Sequence, residues 1–429
     1  MRRLPWPRRV DAVLLCFLAN LIAHSDRVSL SVAMPVMMSE NHWDTAQAGW
    51  VLSGFFLGYT LLMAPVALLA QRYGTRSVFA ACMSWWTLCT LLTPLPRSLA
   101  GLTAMRLLLG VGESGTASCI NGTLVRWFPP REYSRATALC WSAGYAGPVL
   151  AVPAATWLLH VFGWRAIFWV FGLFGFLWLP FWLRLEDGPE LSAAVCEPVP
   201  WKTLARAPAL WALFALHFSA NWFFYFMVTW LPTYLSAARQ LSLPEMAAGS
   251  SLPFLCAWAG ANGFAQLLDR AGPHRSRASK LLLIPYVLSA LCLLAAAAAP
   301  SAVVAVLLLC AGMTLLGAIT PVFSSGSLDL TPRYAGAVAG AQNTFANLSG
   351  ILAPVVIGYL VKERGWPAAF TVTALVVAAG AACYALRGSA QALPEATAHT
   401  SAVPISRGSA RRWSSATSSR SAAGPWRSR

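Results

Sequence analysis

The chain has 429 residues, of which 57% are hydrophobic and only 11% are charged, with a formal net charge of +16. Soluble domains average roughly 25% charged residues, so this composition excludes an ordinary soluble fold. In lipid, only helices and closed barrels satisfy their backbone hydrogen bonds, and the long, continuous apolar stretches predict helices. The positive charge lies in short loops and in the tail, a pattern typical of membrane topology, and predicts no nucleic-acid partner.

A helix that crosses the hydrocarbon core needs about 20 mostly apolar residues. Twelve segments meet this requirement, namely 10–36, 47–70, 77–95, 99–125, 136–160, 165–185, 209–236, 246–268, 279–299, 302–326, 335–361 and 367–387. Basic residues concentrate in alternate connections, as in the loop with Arg72 and Arg76, whereas the intervening loops contain few. By the positive-inside rule we expect a multi-pass integral protein with both termini in the cytosol, in a membrane that the sequence does not identify.

The two halves of the chain resemble each other. Gln71-Arg72-Tyr73-Gly74 after the second segment corresponds to Asp269-Arg270-Ala271-Gly272 after the eighth, and Gly163-Trp164 before the sixth corresponds to Gly365-Trp366 before the twelfth. This repeat predicts an all-α polytopic protein with twelve transmembrane helices in two parallel six-helix halves. That arrangement is the major facilitator fold, in which the binding site lies between the halves near the membrane midplane.

The repeat and the changes in composition predict four regions. They are an N-terminal six-helix bundle over 1–185, a cytosolic linker over 186–208, a C-terminal six-helix bundle over 209–388 and a disordered basic tail over 389–429. The tail is rich in serine, alanine and arginine and too poor in apolar residues to form a core. Contact of the tail with anionic lipid is an alternative.

Charged residues within the expected spans are few. Asp26 and Arg27 lie in the first span, and Arg106 and Glu113 lie in the fourth. An ionised side chain at the centre of a span costs roughly 2.5 to 3.5 kcal/mol, so such residues face the protein interior and usually take part in function. Arg106 and Glu113 are about two helical turns apart and therefore project from one face. A guanidinium in a cavity of low dielectric constant suits an anionic ligand.

The carboxylates beside these arginines predict coupling to protons. Burial disfavours the charged form of a carboxyl group, and a neighbouring arginine favours it. A substrate anion that binds the arginine would remove that support, and the carboxylate would then take up a proton. The alternative is a structural ion-pair cluster that joins spans one and four, although buried ion pairs contribute little net stability.

Polar residues in other spans are candidates for hydrogen bonds to a ligand. They are Tyr59, Tyr145, Asn221, Tyr225 and Asn343. For each one alone, hydrogen bonding between helices is the simpler interpretation. His24 could join a proton relay or pack as an ordinary imidazole. The ten cysteines form no CxxC pair and have no histidine cluster nearby, so we expect neither a metal nor another cofactor.

Several runs of residues are individually weak signals but specific in combination. They are Ser25-Asp26-Arg27-Val28-Ser29, Ser53-Gly54-Phe55-Phe56-Leu57-Gly58-Tyr59, Gly110-Val111-Gly112-Glu113-Ser114-Gly115, Trp127-Phe128-Pro129-Pro130 and Thr229-Trp230-Leu231-Pro232. With this combination the chain resembles the anion:cation symporter family of the major facilitator superfamily, from residue 11 to about residue 387.

The resemblance implies a secondary transporter that moves an organic anion, such as a sugar acid, together with protons. By that likeness, Arg27 binds the anion, Asp26 and Glu113 are protonated, and Arg106 links them. Sodium-coupled transport of inorganic phosphate is an alternative, because family members divide between the two activities. A receptor or scaffold without transport activity is an alternative of another class. No HExxH or GxSxG motif is present, so no enzyme is expected, and the protein is expected to be monomeric.

The loop after the second span departs from the superfamily pattern Gly-x-x-x-Asp-Arg-x-Gly-Arg. Ala67, Gln71 and Thr75 replace its first glycine, its aspartate and its last arginine. We therefore expect a weaker charge clasp at the cytosolic end of the first half, with a consequent difference in gating.

Overall fold

The computed structural model describes residues 6–186, 199–389 and 391–393, and every regular element in these ranges is a helix. The first half contains α1 (Trp6–Asn41), α2 (Thr45–Tyr73), α3 (Thr75–Leu92), α4 (Leu99–Glu113), α5 (Thr116–Trp127), α6 (Pro130–Phe162) and α7 (Trp164–Arg184). The remainder contains α8 (Trp201–Leu204), α9 (Pro208–Thr233), α10 (Leu243–Arg270), α11 (Arg275–Leu281), α12 (Leu283–Ala297), α13 (Ala302–Leu316), α14 (Thr320–Leu330), α15 (Ala335–Arg364) and α16 (Trp366–Arg387).

Each of the twelve predicted spans coincides with one helix or with two consecutive helices. Among the described residues, nine helical segments are long and apolar enough to cross a membrane. The expected spans not among those nine are helical as well, namely α3, α10 and the pair α4 and α5. The structure is therefore an all-helical membrane fold, and the count of twelve crossings stays a prediction for these three segments. The middle of the predicted linker, 187–198, and nearly all of the tail lie outside the described residues.

Local sequence explains where these helices begin and end. Asp44 caps α2, since its carboxylate accepts a hydrogen bond from the backbone N–H of Gln47 at 2.8 Å while the Gln47 side chain accepts one from Asp44. Such a capping box satisfies two backbone donors that a helix start otherwise leaves free. Gly163 and Gly365 have φ angles of 79° and 76° at the turns before α7 and α16. Both repeats thus use the same glycine turn with a positive φ, a backbone conformation that residues with a Cβ rarely adopt.

The second repeat has a charge clasp at the loop where the first repeat has Gln71 in place of an aspartate. The Arg275 guanidinium donates to Asp329 Oδ2 at 3.2 Å and lies 3.6 Å from Asp269 Oδ1. Asp269 corresponds in the repeat to Gln71, which has no carboxylate to offer. The two repeats therefore differ in whether a carboxylate is present at this position.

The first and last six spans meet most closely where α2 passes α15, at the end of the bundle opposite the chain termini. The Thr45 hydroxyl donates to the Gly358 carbonyl at 2.8 Å, and the Ser53 hydroxyl donates to the Ile351 carbonyl at 2.6 Å. Lys362 Nζ lies 3.0 Å from Asp44 Oδ2. Hydrogen bonds from Gln47 and from this ammonium hold the pKa of Asp44 below its usual range. This end of the bundle is therefore closed.

Substitution of Gly358 tests whether that closure depends on backbone contact between α2 and α15. A Cβ at Gly358 would lie 2.3 Å from the Thr45 carbonyl oxygen, so Gly358→Ala must force the two helices apart. We expect a cysteine introduced at the buried Ser53 of cysteine-free protein to react several-fold faster with a polar thiol reagent in this variant. Gly336→Ala is the matched control, because Gly336 has no atom within 4 Å of the added carbon. Equal labelling rates in the two variants would contradict this account of closure.

Candidate functional site

The charged residues predicted in the first and fourth spans come together inside the helix bundle. Arg27 on α1 donates from Nε to Glu113 Oε2 at the end of α4, at 2.9 Å, and its Nη2 lies 2.9 Å from the same oxygen. The Glu113 side chain is fully buried and that of Arg27 is 10% exposed. The pair is thus removed from lipid, and the arginine retains limited access from the space between the helices.

Aromatic rings on α2 surround the arginine. The Arg27 guanidinium lies 4.9 Å from the centre of the Phe55 ring and 4.8 Å from that of Tyr59. The Arg106 guanidinium lies 5.4 Å from the same Phe55 ring. Cation–π contacts of this kind position the guanidinium groups without occupying their N–H donors in the plane of the group.

Glycine allows α2 and α4 to approach closely enough to form this arrangement. A Cβ at Gly110 would lie 2.0 Å from the Phe55 carbonyl oxygen, and one at Gly58 would lie 2.1 Å from that of Leu107. Any larger residue would therefore separate the helices that hold the aromatic rings and Glu113. The glycine cluster near Glu113 acts as a close helix contact, as small residues do in membranes.

Asp26 forms no hydrogen bond with Arg27 or Glu113, although it precedes Arg27 in the chain. It is 1% exposed, and its Oδ2 accepts a hydrogen bond from the Thr90 hydroxyl of α3 at 3.3 Å. Asp26 Oδ1, Glu113 Oε1 and Arg106 Nε and Nη1 are buried without a hydrogen-bond partner among the described residues. A buried polar atom left unpaired costs about 1 to 3 kcal/mol. We therefore expect internal water among α1, α3 and α4 to hydrate these groups.

The Thr90 contact gives a prediction about Asp26. Thr90→Val keeps the shape of the side chain but removes the hydroxyl donor, and one such hydrogen bond contributes about 1 kcal/mol. For the proton-coupled transport that the sequence predicts, we expect uptake to fall about fivefold in Thr90→Val and its pH profile to shift, whereas Thr90→Ser should retain both. Uptake into proteoliposomes over a range of pH measures this. An unchanged profile in the valine variant would show that Thr90 does not influence the carboxyl group.

A polar cluster from the last six spans faces the arginine. The Tyr225 hydroxyl on α9 donates to Asn347 Oδ1 at 2.6 Å, and the Asn347 amide donates to Asn343 Oδ1 at 3.2 Å. The Tyr225 ring also contacts the Phe56 ring of α2 at 4.4 Å. The predicted residues Tyr225 and Asn343 are therefore connected through Asn347, at the boundary between the two sets of spans.

The other predicted residues are less closely joined to this cluster. Tyr145 on α6 packs its ring edge-on against Phe224 of α9 at 6.1 Å. Asn221 is half-buried, one helical turn from Tyr225, and forms no side-chain hydrogen bond to the residues described. His24 Nδ1 bonds the Asn20 carbonyl at 2.9 Å and packs beside α6, so the structure shows a packed imidazole without a contact to Asp26.

Some residues of the site were not singled out from the sequence. Asn347 has the clearest signal, since it lies one helical turn after Asn343 on the same face. Thr90 has none, because a single threonine within an apolar span is ordinary, and Phe55 was noted only as part of a run that resembles the family. His217 is another such residue, and it lies on α9 between Tyr225 and the end of the bundle that carries the chain termini. Its ring stacks on that of Phe323, with ring centres 4.0 Å apart, and its Nδ1 lies 3.1 Å from the Gln342 amide nitrogen.

The sequence profile of the Major Facilitator Superfamily matches residues 16–354 and 275–426. The chain belongs to this superfamily. A solved structure described as a bacterial homologue of the human lysosomal transporter Spinster, in an inward-facing and occupied conformation, superposes with a TM-score of 0.76 at 18% identity. The alignment covers 89% of this chain and 97% of that one, which confirms the predicted superfamily fold.

Relatives within the superfamily are named for anion transport. A sodium-dependent phosphate transport protein of Arabidopsis thaliana chloroplasts is 32% identical over 86% of this chain and 78% of its own length. A chloroplastic ascorbate transporter of the same plant is 31% identical over 86% of this chain and 73% of its own length. Sialin of Ovis aries is 27% identical over 88% of both chains. These relatives confirm the resemblance to the anion:cation symporter family and identify the chain as a multi-pass membrane transporter rather than an enzyme.

Proposed function

We propose that this superfamily member is a secondary active transporter that carries an organic anion, a sugar acid or related carboxylate, together with protons. The observation that supports this most directly is the buried pair of Arg27 and Glu113, with both 2.9 Å contacts converging on one carboxylate oxygen. An arginine that already binds a carboxylate within the protein offers the geometry that a carboxylate substrate needs.

Coupling follows from competition for Arg27. A substrate carboxylate that takes the positions beside Nε and Nη2 displaces Glu113 Oε2 from both contacts. Glu113 is then a buried carboxylate without its cation, a state that burial strongly disfavours, and it takes up a proton. The anion and the proton together add no net charge to the site, so the loaded transporter can change conformation. After the site has opened to the other side of the membrane, these steps run in reverse and the anion and the proton are released.

The remaining predicted residues form the substrate contacts in this proposal. Tyr59 and Tyr225 flank Arg27, and Asn343 and Asn221 extend the polar surface along α15 and α9. Hydroxyl and amide groups of this kind suit a polyhydroxylated ligand because both can donate and accept hydrogen bonds. Tyr145 on α6 packs against Phe224 of the opposite half and borders the substrate contacts. In this proposal Asp26 is a second protonatable carboxylate, and Arg106 links it to Glu113.

Transport proceeds by rocking of residues 1–185 against residues 209–388, with 186–208 as the connection and 389–429 as a tail outside the bundle. The contacts between α2 and α15, including the pair of Asp44 and Lys362, close the end opposite the termini. If both termini lie in the cytosol, as we propose, the end that these contacts close is the one that faces away from the cytosol. We propose that the protein works as a monomer, with lipid, a small anion and a coupling proton as its only partners.

Uptake by proteoliposomes tests the proposal. Labelled sugar acids and labelled phosphate are each supplied with an inward proton gradient, with an inward sodium gradient or with neither. We expect the proton gradient to drive accumulation of the sugar acid. Accumulation of phosphate driven by sodium alone would instead establish the second candidate, which the sodium-dependent phosphate relative favours.

A transport-inactive receptor or scaffold would behave differently in counterflow. It would bind the anion but would not exchange internal for external anion. We expect rapid counterflow, because the Arg27–Glu113 pair offers an exchangeable ligand position rather than a permanent one.

A further inference from the structure

A recess that does not include Arg27 or Glu113 lies between α1, α6 and α7, and its inner end reaches Asp26. A cavity of about 910 Å³ opens there, and we refer to it as the α1–α6–α7 groove. Its walls are mainly apolar side chains, among them Leu14, Leu18, Ile22, Leu150, Phe171, Phe174, Leu177 and Phe181. On α7 these residues recur every three or four positions, so they form one stripe along the helix.

The groove is accessible from the bilayer. Leu150 and Phe181 are 60% and 59% exposed, and Leu177 is 55% exposed. In a membrane, surface of this kind contacts hydrocarbon rather than water. A recess in such a surface is a place for a lipid chain, since lipid is the solvent on that side of the protein.

The length of the groove matches one leaflet. It extends along α1 from Asp11, near the first turn, to Ser25 and Asp26. At 1.5 Å per residue, this stretch is about 21 Å long, which equals about half of a bilayer with its headgroup regions, roughly 20 to 22 Å. A chain that enters from the terminal side of the membrane therefore reaches the region of the buried Asp26.

Charged residues of both signs line the terminal end of the groove. Arg8 and Arg184 provide two cations, and Asp11 and Glu186 provide two carboxylates. Arg8 is paired with Glu186. Arg184 and Asp11 are exposed and have no ion pair with any other described residue. Two cations beside two anions complement a headgroup that itself carries both a phosphate and an ammonium group.

We propose that the α1–α6–α7 groove binds a phospholipid with a zwitterionic, primary-ammonium headgroup, of which phosphatidylethanolamine is the probe. Its acyl chain fills the apolar recess as far as Ser25, its phosphate binds Arg184 and Arg8, and its ammonium binds Asp11 and Glu186. This proposal does not depend on which anion is transported. It places a lipid beside the carboxylate of Asp26, so that membrane composition affects the part of α1 that carries the coupling residues.

Native mass spectrometry of the detergent-purified full chain tests the proposal. Added phosphatidylethanolamine is expected to give a bound species at a concentration at least tenfold lower than phosphatidylglycerol or phosphatidylcholine does. Soluble glycerophosphoethanolamine, which has the headgroup without acyl chains, should not compete at equal concentration. Preferential binding of phosphatidylglycerol, or equal binding of all three lipids, would overturn the assignment of the headgroup.

Two pairs of variants locate the bound lipid. Ala154→Trp places an indole in the groove and is expected to lower lipid occupancy about tenfold, whereas Leu375→Trp on the lipid-facing surface of α16 should not. Arg184→Ala, which removes a cation from the phosphate position, should lower the occupancy of all three lipids, whereas Arg387→Ala, at the equivalent end of α16, should leave it unchanged. Thermal unfolding of each variant verifies that it is folded. Occupancy in folded Ala154→Trp equal to that in Leu375→Trp would overturn the site.

Discussion

Replacement of Arg27 by glutamine is expected to weaken binding of the transported anion at least about a hundredfold. The substitution removes the guanidinium whose Nε and Nη2 contact Glu113 and, in our proposal, the substrate. Each charge-assisted hydrogen bond contributes about 1.5 to 3 kcal/mol, so the loss of two exceeds the free energy of a hundredfold change in affinity. Arg27→Lys should also bind weakly, because an ammonium cannot reproduce the two-pronged geometry.

Controls separate loss of binding from loss of folding. Arg27→Gln leaves Glu113 buried without its cation, so the double variant Arg27→Gln/Glu113→Gln restores a neutral pair of similar size. It should fold like the parent protein and still fail to bind. Arg97→Gln, in the exposed turn between α3 and α4, should bind normally. Affinity measured by isothermal titration that is unaltered in Arg27→Gln would remove Arg27 from the site.

Replacement of Glu113 by glutamine is expected to abolish proton-driven accumulation while exchange of internal for external anion continues. The amide retains an oxygen that can accept from Arg27 but cannot exchange a proton. The anion would then equilibrate across the membrane without following the proton gradient. Accumulation ratios and counterflow rates in the same proteoliposomes measure the two activities separately.

The control for this substitution is Glu132→Gln, which neutralises an exposed carboxylate 3.6 Å from Arg9 on the surface of the protein. It should accumulate the anion as the unmodified protein does. If Glu113→Gln accumulates the anion as strongly as Glu132→Gln, the coupling proton binds elsewhere. Asp26 would then be the next residue to examine, since it is the other buried carboxylate near Arg106.

Much of the fold was predictable because membrane helices follow from composition over about 20 residues, and few alternatives satisfy the backbone in lipid. The predicted fourth span divides at Ser114 and Gly115 into α4 and α5. The sequence did not predict this break, because isolated small residues are also common within continuous membrane helices. The left-handed turns at Gly163 and Gly365 follow the predicted repeat.

The sequence predicted which charged residues form the site, but it did not predict which of them contact one another. Charges within a span are expensive enough to mark Asp26, Arg27, Arg106 and Glu113. Which carboxylate contacts Arg27 depends on helix rotation and on close approach at glycine, and the structure selects Glu113. Asp26 faces Thr90 on a third helix instead. A one-residue difference on a helix rotates a side chain by about 100°, so adjacent residues reach different neighbours.

The polar partners from α9 and α15 were only partly predictable. Tyr225 and Asn343 were identified as polar residues within spans, whereas Asn347 connects them. Contacts between the two sets of spans depend on how those sets meet, which local sequence does not specify. The α1–α6–α7 groove was not predicted for the same reason, since its apolar residues look like any lipid-facing surface.

The central claim is that the transported anion displaces Glu113 from Arg27 and that the carboxylate then binds a proton. Proton uptake by the purified protein, followed with a pH indicator in weakly buffered solution at neutral pH, tests this claim most directly. Addition of the sugar acid that the proteoliposomes accumulate is expected to cause uptake of about one proton per bound anion, and this uptake should be lost in Glu113→Gln. Anion binding without proton uptake in the unmodified protein, or equal uptake in Glu113→Gln, would contradict the account.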